Sequence, residues 1–353
     1  MHGTTLSKAH VALEQLWPAA ERIAQVQRDD GAIPWFEDGA WDPWNHVECA
    51  MALATMGYIA EANRAFDYLL QNQRADGAWL GDYGNALPMV DRDFISREPA
   101  EALVDSNFCA YPAVGVAHYL QVTKDYSKAR EWWPMVKSAL DFVLTLRRPD
   151  GSISWALEAL ASDADDALLA GNASIAKSFE CGIYLAGEMG EPCARWRDAH
   201  ASLITALQTR PDLFDRRGVG ARFAMDWYYP VLAGTLPLAQ ARERLDAKWV
   251  AFVDPMRGCR CVVDEPWVTM AETAELVMAL LVVGENERAL DLFQTLLQHR
   301  DPDGVFWMGW QTHQEIVWPN ERPGWTQAAV ILAADALAKT PRQGHVLTRR
   351  VAL

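Results

Sequence analysis

Apolar residues recur at helical spacing along almost the whole chain, and the alternating runs that make half-buried strands are few and short. Sorted by the breadth of their apolar face, the predicted helices fall into two sets. One set carries charge along one side: residues 8–27, 58–73, 126–147, 191–209, 237–252 and 285–299. These read as half-exposed outer helices. The other set is apolar or small on nearly every side: residues 43–56, 107–122, 172–189, 227–235, 267–283 and 324–338. Helices of that kind are buried. The sets alternate strictly, and each outer helix runs into a turn that holds a glycine: Asp30-Gly31, Asp76-Gly77, Asp150-Gly151, Arg217-Gly218, Arg257-Gly258 and Asp303-Gly304. Glycine supplies the left-handed residue that stops a helix or makes a turn.

Hairpins whose second members are all buried satisfy every inner helix only by closing into a ring. The pattern therefore predicts an all-α chain, a single (α/α)6 toroid over residues 1–353, with about 340–353 as a C-terminal extension that frays or runs on briefly. An open helical stack is the alternative, but the unequal repeat lengths suit a ring with unequal loops better.

Composition narrows the ligand. Of 353 residues, 50% are hydrophobic and 22% charged, enough for a large core. Formal charge is −15, with 32 basic against 47 acidic residues. Nucleic acid needs a basic face to displace counterions, so it is excluded as a natural partner. The same field repels polyphosphates and anionic membranes, which leaves a neutral ligand. Met1 to Gln15 has no basic stretch followed by an apolar one, and no uncharged apolar run is long enough to span a bilayer. The expected setting is the cytoplasm. Cys49, Cys109, Cys181, Cys193, Cys259 and Cys261 form no CxxC pair, and Cys259-Arg260-Cys261 is too cramped for a metal. Reduced core thiols, with no metal and no cofactor, are expected.

Tryptophan is the unusual residue, at 16 copies. Eleven of them (Trp35, Trp41, Trp44, Trp79, Trp155, Trp227, Trp267, Trp307, Trp310, Trp318 and Trp325) fall on outer-to-inner loops or the first turns of inner helices. One mouth of the ring is thereby aromatic, suited to stacking on sugars or to enclosing a hydrocarbon. Carboxylates gather at the same helix starts. Asp42 and Glu265 each precede Pro-Trp, which places them at N-caps in extended geometry, and Asp105 and Asp226 occupy comparable starts.

Two carboxyls in an aromatic cleft are what glycoside hydrolysis requires, one protonated to assist the leaving oxygen and one ionised to activate water. Asp42 and Glu265 are the leading pair, Glu265 as acid beside apolar Pro266 and Trp267; Asp105 and Asp226 are the nearest alternatives. Plain helix capping is the competing reading of each. The rings of Trp41, Trp44, Trp227, Trp267, Trp310 and Trp325 are candidate sugar platforms. His46, Glu48, Asn107, Tyr111, Tyr228, Glu272 and Glu321 are candidates to bind hydroxyls. Glu48 and Glu272 sit about a turn inside their helices, where a hydrogen bond to a neighbouring helix is the alternative role.

A rival reading has its own motifs. Gln73-Arg74-Ala75-Asp76-Gly77-Ala78-Trp79 fits the QxxDGxW pattern of terpene-cyclase and prenyltransferase toroids, with a near match at Gln27 to Ile33. That pattern ties a helix end to the next turn and reports the ring more than the reaction. Asp163-Ala164-Asp165-Asp166 matches the DxDD of class II terpene cyclases, whose middle Asp protonates an alkene, but it lies in a polar loop.

Trp41 to Glu48, Asn107 to Tyr111, Arg222 to Pro230 and Asp264 to Thr269 resemble a group of actinobacterial proteins often labelled prenyltransferases. Asn172 to Leu207 is similar to helices of bacterial six-hairpin glycosidases. Within the group, the chain most resembles mycobacterial hydrolases that cut methylmannose polysaccharides. That resemblance implies an endo-acting α-mannosidase on a neutral, O-methylated α-1,4-mannan, working by inversion. A class II cyclase and a non-catalytic carbohydrate-binding toroid are the other readings.

Overall fold

The computed structural model describes residues 13–81, 83, 103–157, 166–216, 218, 222–338 and 345–349. Six outer helices, α1 (Trp17–Val26), α3 (Ile59–Gln71), α6 (Tyr126–Thr145), α8 (Ala194–Thr209), α10 (Leu238–Phe252) and α12 (Asn286–Leu296), alternate with inner ones. The inner set is α2 (Pro43–Thr55), α4 (Ser106–Ala110) running into α5 (Pro112–Thr123), α7 (Leu169–Met189), α9 (Ala224–Leu232), α11 (Met270–Val282) and α13 (Gly324–Ala338). Around the wall α2 packs on α5, α5 on α7, α7 on α9, α9 on α11, α11 on α13, and α13 returns to α2. The ring is closed, as the burial pattern demands. Close approach is built in: a Cβ on Gly115 of α5 would stand 2.5 Å from Val47 Cγ1 of α2.

The glycine turns set the passage from outer to inner helix. All six glycines named above have positive φ, from 77° at Gly218 to 124° at Gly258. At Gly77 the constraint is double, because an added Cβ would also lie 2.3 Å from the Ser138 carbonyl oxygen. The glutamine of the QxxDG motif anchors the same turn: Gln73 Nε2 donates to Gly77 O and to Met135 O of α6, both at 2.9 Å. Gln27 repeats this with Gly31 O at 3.1 Å and Glu61 O of α3 at 3.0 Å. The motif thus pins each turn to the next outer helix.

A second tie recurs where the chain meets the inner helix. The fourth residue of α2, His46, accepts from Ile33 N at 3.0 Å; the fourth of α4, Cys109, from Trp79 N at 3.4 Å; the fourth of α7, Asn172, from Ile153 N at 2.8 Å. In α11, Thr273 accepts from Cys259 N at 2.8 Å, and in α13, Gln327 accepts from Phe306 N at 2.8 Å. Each clips the backbone one or two residues past its turn glycine, satisfying a buried amide that has no helix partner.

Strands are confined to short pieces: β1 (Val104–Asp105) with β2 (Ala156–Leu157), β3 (Val253–Asp254) with β4 (Gly258–Cys259), and β5 (Trp267–Thr269), β6 (Gly309–Gln311) and β7 (Ile316–Val317) in one antiparallel sheet. β5 occupies the stretch expected to begin the fifth inner helix. There the aromatic and β-branched run Trp267-Val268-Thr269 pairs with Gly309–Gln311 and the helix starts at Met270. Residues 345–349 pack on the molecule instead of fraying: His345, Val346 and Leu347 are all buried.

Candidate active site

Because every hairpin runs outer helix first, the inner helices are parallel and their N-termini meet at one end. Long outer-to-inner segments crowd that mouth, while the opposite end has only short links, at residues 56–58, 124–125, 190–193, 233–237 and 283–285. At the mouth lies a cavity of about 410 Å³, within the roughly 300–1,000 Å³ of ligand sites. Trp44, Phe108, Trp155 and Phe223 supply aromatic wall; Asn45, Asn107 and Asn172 supply amides; and four carboxylates line it, Asp105, Asp215, Asp226 and Glu272. No Lys, Arg or His lines it among the described residues.

Each carboxylate is placed by a helix start. Asp105 caps α4, its Oδ1 accepting from Asn107 N at 2.8 Å and Phe108 N at 3.1 Å. Pairing of β1 with β2, and Ser106 N donating to Trp155 O at 2.9 Å, brings Trp155 beside it. Burial pushes Asp105 up to about 6, against the lowering effect of its two backbone donors. Asp226 sits in the first turn of α9, with Oδ1 3.3 Å from Ala170 N at the start of α7. Asp215 reaches the same helix end, accepting from Leu169 N at 3.2 Å. Burial first, and the neighbouring Asp215 second, raise Asp226 to about 7. Glu272, in the first turn of α11, accepts a hydrogen bond from the Thr269 hydroxyl.

Asp42 behaves as the capping reading expects. Oδ1 accepts from Asn45 N at 2.9 Å, and Oδ2 accepts from Trp35 Nε1 and Asn45 Nδ2, both at 2.6 Å. It is buried behind Asn45, whose amide it orients, and burial raises its pKa. Glu265 is a correction. Its side chain is 56% exposed, 3.4 Å from Arg222 Nη2, and outside the cavity lining. The strand of 267–269 moves the helix start from residue 267 to Met270, so Thr269 takes the N-cap position, without a side-chain cap hydrogen bond, and Glu272 takes the place at the mouth.

Several expected sugar contacts are core instead. Trp41 is sandwiched among Tyr83, stacked at 4.3 Å, Tyr68 and His46. His46 bridges Ile33 N and Ala65 O, and burial lowers it to about 4. Trp227 stacks on Phe252 and donates to Arg244 O at 2.7 Å. Trp44 and Asn107 do line the cavity, Trp44 with one face stacked on Tyr111 at 4.4 Å.

Beneath, Tyr111 donates to Glu48 Oε1 at 3.0 Å and Tyr228 donates to Glu275. Burial pushes both carboxyls up, and Glu48 adds to the rise at Glu275. This is the interhelix role foreseen as the alternative for Glu48.

Trp267 and Trp310 belong to β5 and β6, where Trp267 Nε1 donates to Trp318 O and Arg257 lies 4.2 Å over the Trp310 ring. Glu321 O accepts from Met308 N, and Trp325 meets Trp35 edge-on at 6.0 Å; neither side chain lines the cavity. Asp215 escaped the sequence reading because it sits just before Arg217-Gly218 and looks like a turn residue, which its φ of 50° shows it also is. Of the DxDD residues, 163–165 lie outside the described residues. Asp166 is a buried loop anchor, accepting from Ala167 N and Arg216 N.

No protein-family model matches the chain. Solved structures share its shape at low identity. An uncharacterised conserved protein of Thermus thermophilus has TM-score 0.67 at 13% identity, over 90% of this chain and 98% of that one. The GH63 mannosylglycerate hydrolase of the same organism has TM-score 0.67 at 13%, over 90% and 99%. A D-mannose isomerase has TM-score 0.66 at 12%, over 94% and 98%. The fold is an (α/α)6 toroid, and since a hydrolase and an isomerase both use it, it does not choose the reaction. Sequence goes further: the MMP endo-(1,4)-3-O-methyl-alpha-D-mannosidase of Mycolicibacterium hassiacum is 43% identical over 327 residues, 93% of this chain and 87% of that protein. The chain belongs to the family of that endomannosidase.

Proposed function

We propose that the chain is an endo-acting glycoside hydrolase that cuts α-mannosidic bonds inside a neutral, O-methylated mannan, and that Asp226 and Glu272 are its working carboxyls. The observation that carries the reaction type is the mouth itself: four carboxylates, with no lining cation among the described residues, in an aromatic cavity. The 43% identity to an enzyme named for 3-O-methyl-mannosidic bonds supports the substrate. A protein of charge −15 disfavours anionic chains, and Trp44, Phe108, Trp155 and Phe223 offer surface for sugar faces and methyl groups. Six free cysteines fit a cytoplasmic setting, and no described helix is long and apolar enough to cross a membrane.

Asp226, held near 7 by burial and by Asp215, keeps a proton to give the leaving glycosidic oxygen. Glu272 stands at the start of the neighbouring inner helix. Packed helices have axes roughly 8–10 Å apart, which suits the roughly 6.5–9.5 Å between carboxyls that leaves room for water in an inverting enzyme. Glu272 takes a proton from that water as its oxygen attacks the anomeric carbon. The carbon–oxygen bond to the leaving sugar breaks, and Asp226 supplies the proton that makes its hydroxyl. Asp42 and Asp105 hold Asn45 and the start of α4 in place.

The test is incubation with methylmannose polysaccharide, unmethylated mannan and a polyprenyl diphosphate, with products read by mass spectrometry and the new anomeric centre by NMR. Shortened methylated oligosaccharides with inverted configuration are expected. A cyclised terpenoid with both glycans untouched would overturn the assignment.

A further inference from the structure

The closed end of the ring carries chemistry that the mouth does not use. His118 of α5, Asp335 of α13 and His345 of the C-terminal segment each bring one donor atom to within 4.8 Å of the others. All three are buried, at 1%, 6% and 1% exposure. The two imidazoles stand 5.3 Å apart between centroids, and His345 Nε2 is 3.6 Å from Asp335 Oδ2. Thr55, the last residue of α2, places Oγ1 3.4 Å from His118 Nε2.

This place in the fold favours a cation. α5 and α13 are the ring neighbours of α2, and Thr55 touches His118, so the cluster lies by the C-terminal end of α2, the negative end of its dipole. Asp335 adds a carboxylate, buried like the two imidazoles and facing one of them. Two imidazoles and one carboxylate from three separate segments form a nitrogen-rich set that suits zinc-type ions; magnesium and calcium take oxygens.

We propose that His118, Asp335 and His345 bind one divalent transition ion of the zinc type, which fastens the C-terminal segment across the closed end of the ring. Ligand atoms around tetrahedral zinc, with bonds of about 2.0–2.1 Å, lie closer together than the present cluster. Binding therefore draws residues 345–349 inward. Leu347 N points at His345 Nδ1 from 3.3 Å, a long contact. An ion on Nε2 shifts the ring proton to Nδ1 and releases that contact, so the imidazole stays neutral and no net proton leaves it.

The experiment uses the untagged full-length protein, stripped with a chelator and given one equivalent of zinc chloride. One zinc per chain retained after desalting, and a melting temperature several degrees above that of the stripped protein, are expected. His345→Gln and Asp335→Asn should each lose at least ten-fold in zinc affinity and the thermal response, while glycan hydrolysis at room temperature changes by less than about two-fold. Visible absorption of the cobalt(II)-substituted parent separates a protein-bound, low-coordinate ion from an aqueous one, so a variant that fails to fold does not block the test. Zinc lost on desalting, zinc held equally by both variants, or cobalt(II) bands of a purely aqueous ion would each overturn the proposal.

Discussion

Mouth and closed end handle buried charge in opposite ways. Toward the closed end the buried acids Glu180 and Asp335 have a cationic or imidazole neighbour: Lys177 Nζ lies 3.0 Å from Glu180 Oε1 and donates to Arg349 O, and Asp335 faces His345. At the mouth, Asp105, Asp215, Asp226 and Glu272 share a cavity without one basic lining residue among the described residues. Paired charge of the first kind holds a structure and stays as it is. At the mouth, burial and the neighbouring Asp215 let Asp226 keep its proton up to about 7, and a carboxyl that keeps its proton near neutrality is a tool for acid catalysis.

The largest effect expected from breaking this contrast is on stability. Lys177→Met takes away the ammonium that faces Glu180 and should cost about 3–5 kcal/mol in urea unfolding, with activity per folded molecule kept. Next, Asp226→Asn and Glu272→Gln should each fold and bind glycan but lower turnover about 100-fold or more, measured on methylmannose polysaccharide. If Asp226→Asn turns over normally, the acid is Asp105 or Asp42 and the pairing fails.

The raised Asp226 pKa carries two further signs. Hydrolysis should fall as pH rises through about 7, where this proton is lost, and that limb of the pH profile should vanish in Asp226→Asn. For stability, the folded chain binds the proton more tightly than the unfolded chain, whose Asp titrates near 3.8. The group's stabilising contribution is therefore whole below that pH and declines between about 4 and 7. Asp226→Asn should gain about 1–2 kcal/mol at pH 8, less than the full shift because water reaches the cavity, and nothing at pH 3. The smallest effect belongs to Glu265→Gln, an exposed partner of Arg222, which should leave turnover within about two-fold and stability within about 1 kcal/mol.

What the sequence made legible follows the same division. The alternation of buried and amphipathic helices and the glycine turns depend on period and composition, and every described inner helix lies where the pattern predicts, within a few residues. Asp105, Asp226, Asn107, Trp44 and Glu272 were found at the cavity because helix starts are visible in a sequence. Glu265 misled because Pro-Trp after it looks like a helix start, whereas Trp267-Val268-Thr269 finds strand partners some forty residues away, which no local rule sees. His46 misled for a related reason. A histidine near an aromatic mouth suggests a ligand, and its kinship with Cys109, Asn172, Thr273 and Gln327 emerges only when five helices are laid over one another.

That kinship bears on how the ring ages. The clip at the fourth helical position recognises a main-chain amide, which every residue but proline presents, and imidazole, thiol, carboxamide and hydroxyl all fill the socket. Substitution can wander through these chemistries one repeat at a time without disturbing the curvature of the wall. The five units that carry the clip share its geometry without sharing its residue, and whole toroids at 12–13% identity likewise superpose along nearly their whole length.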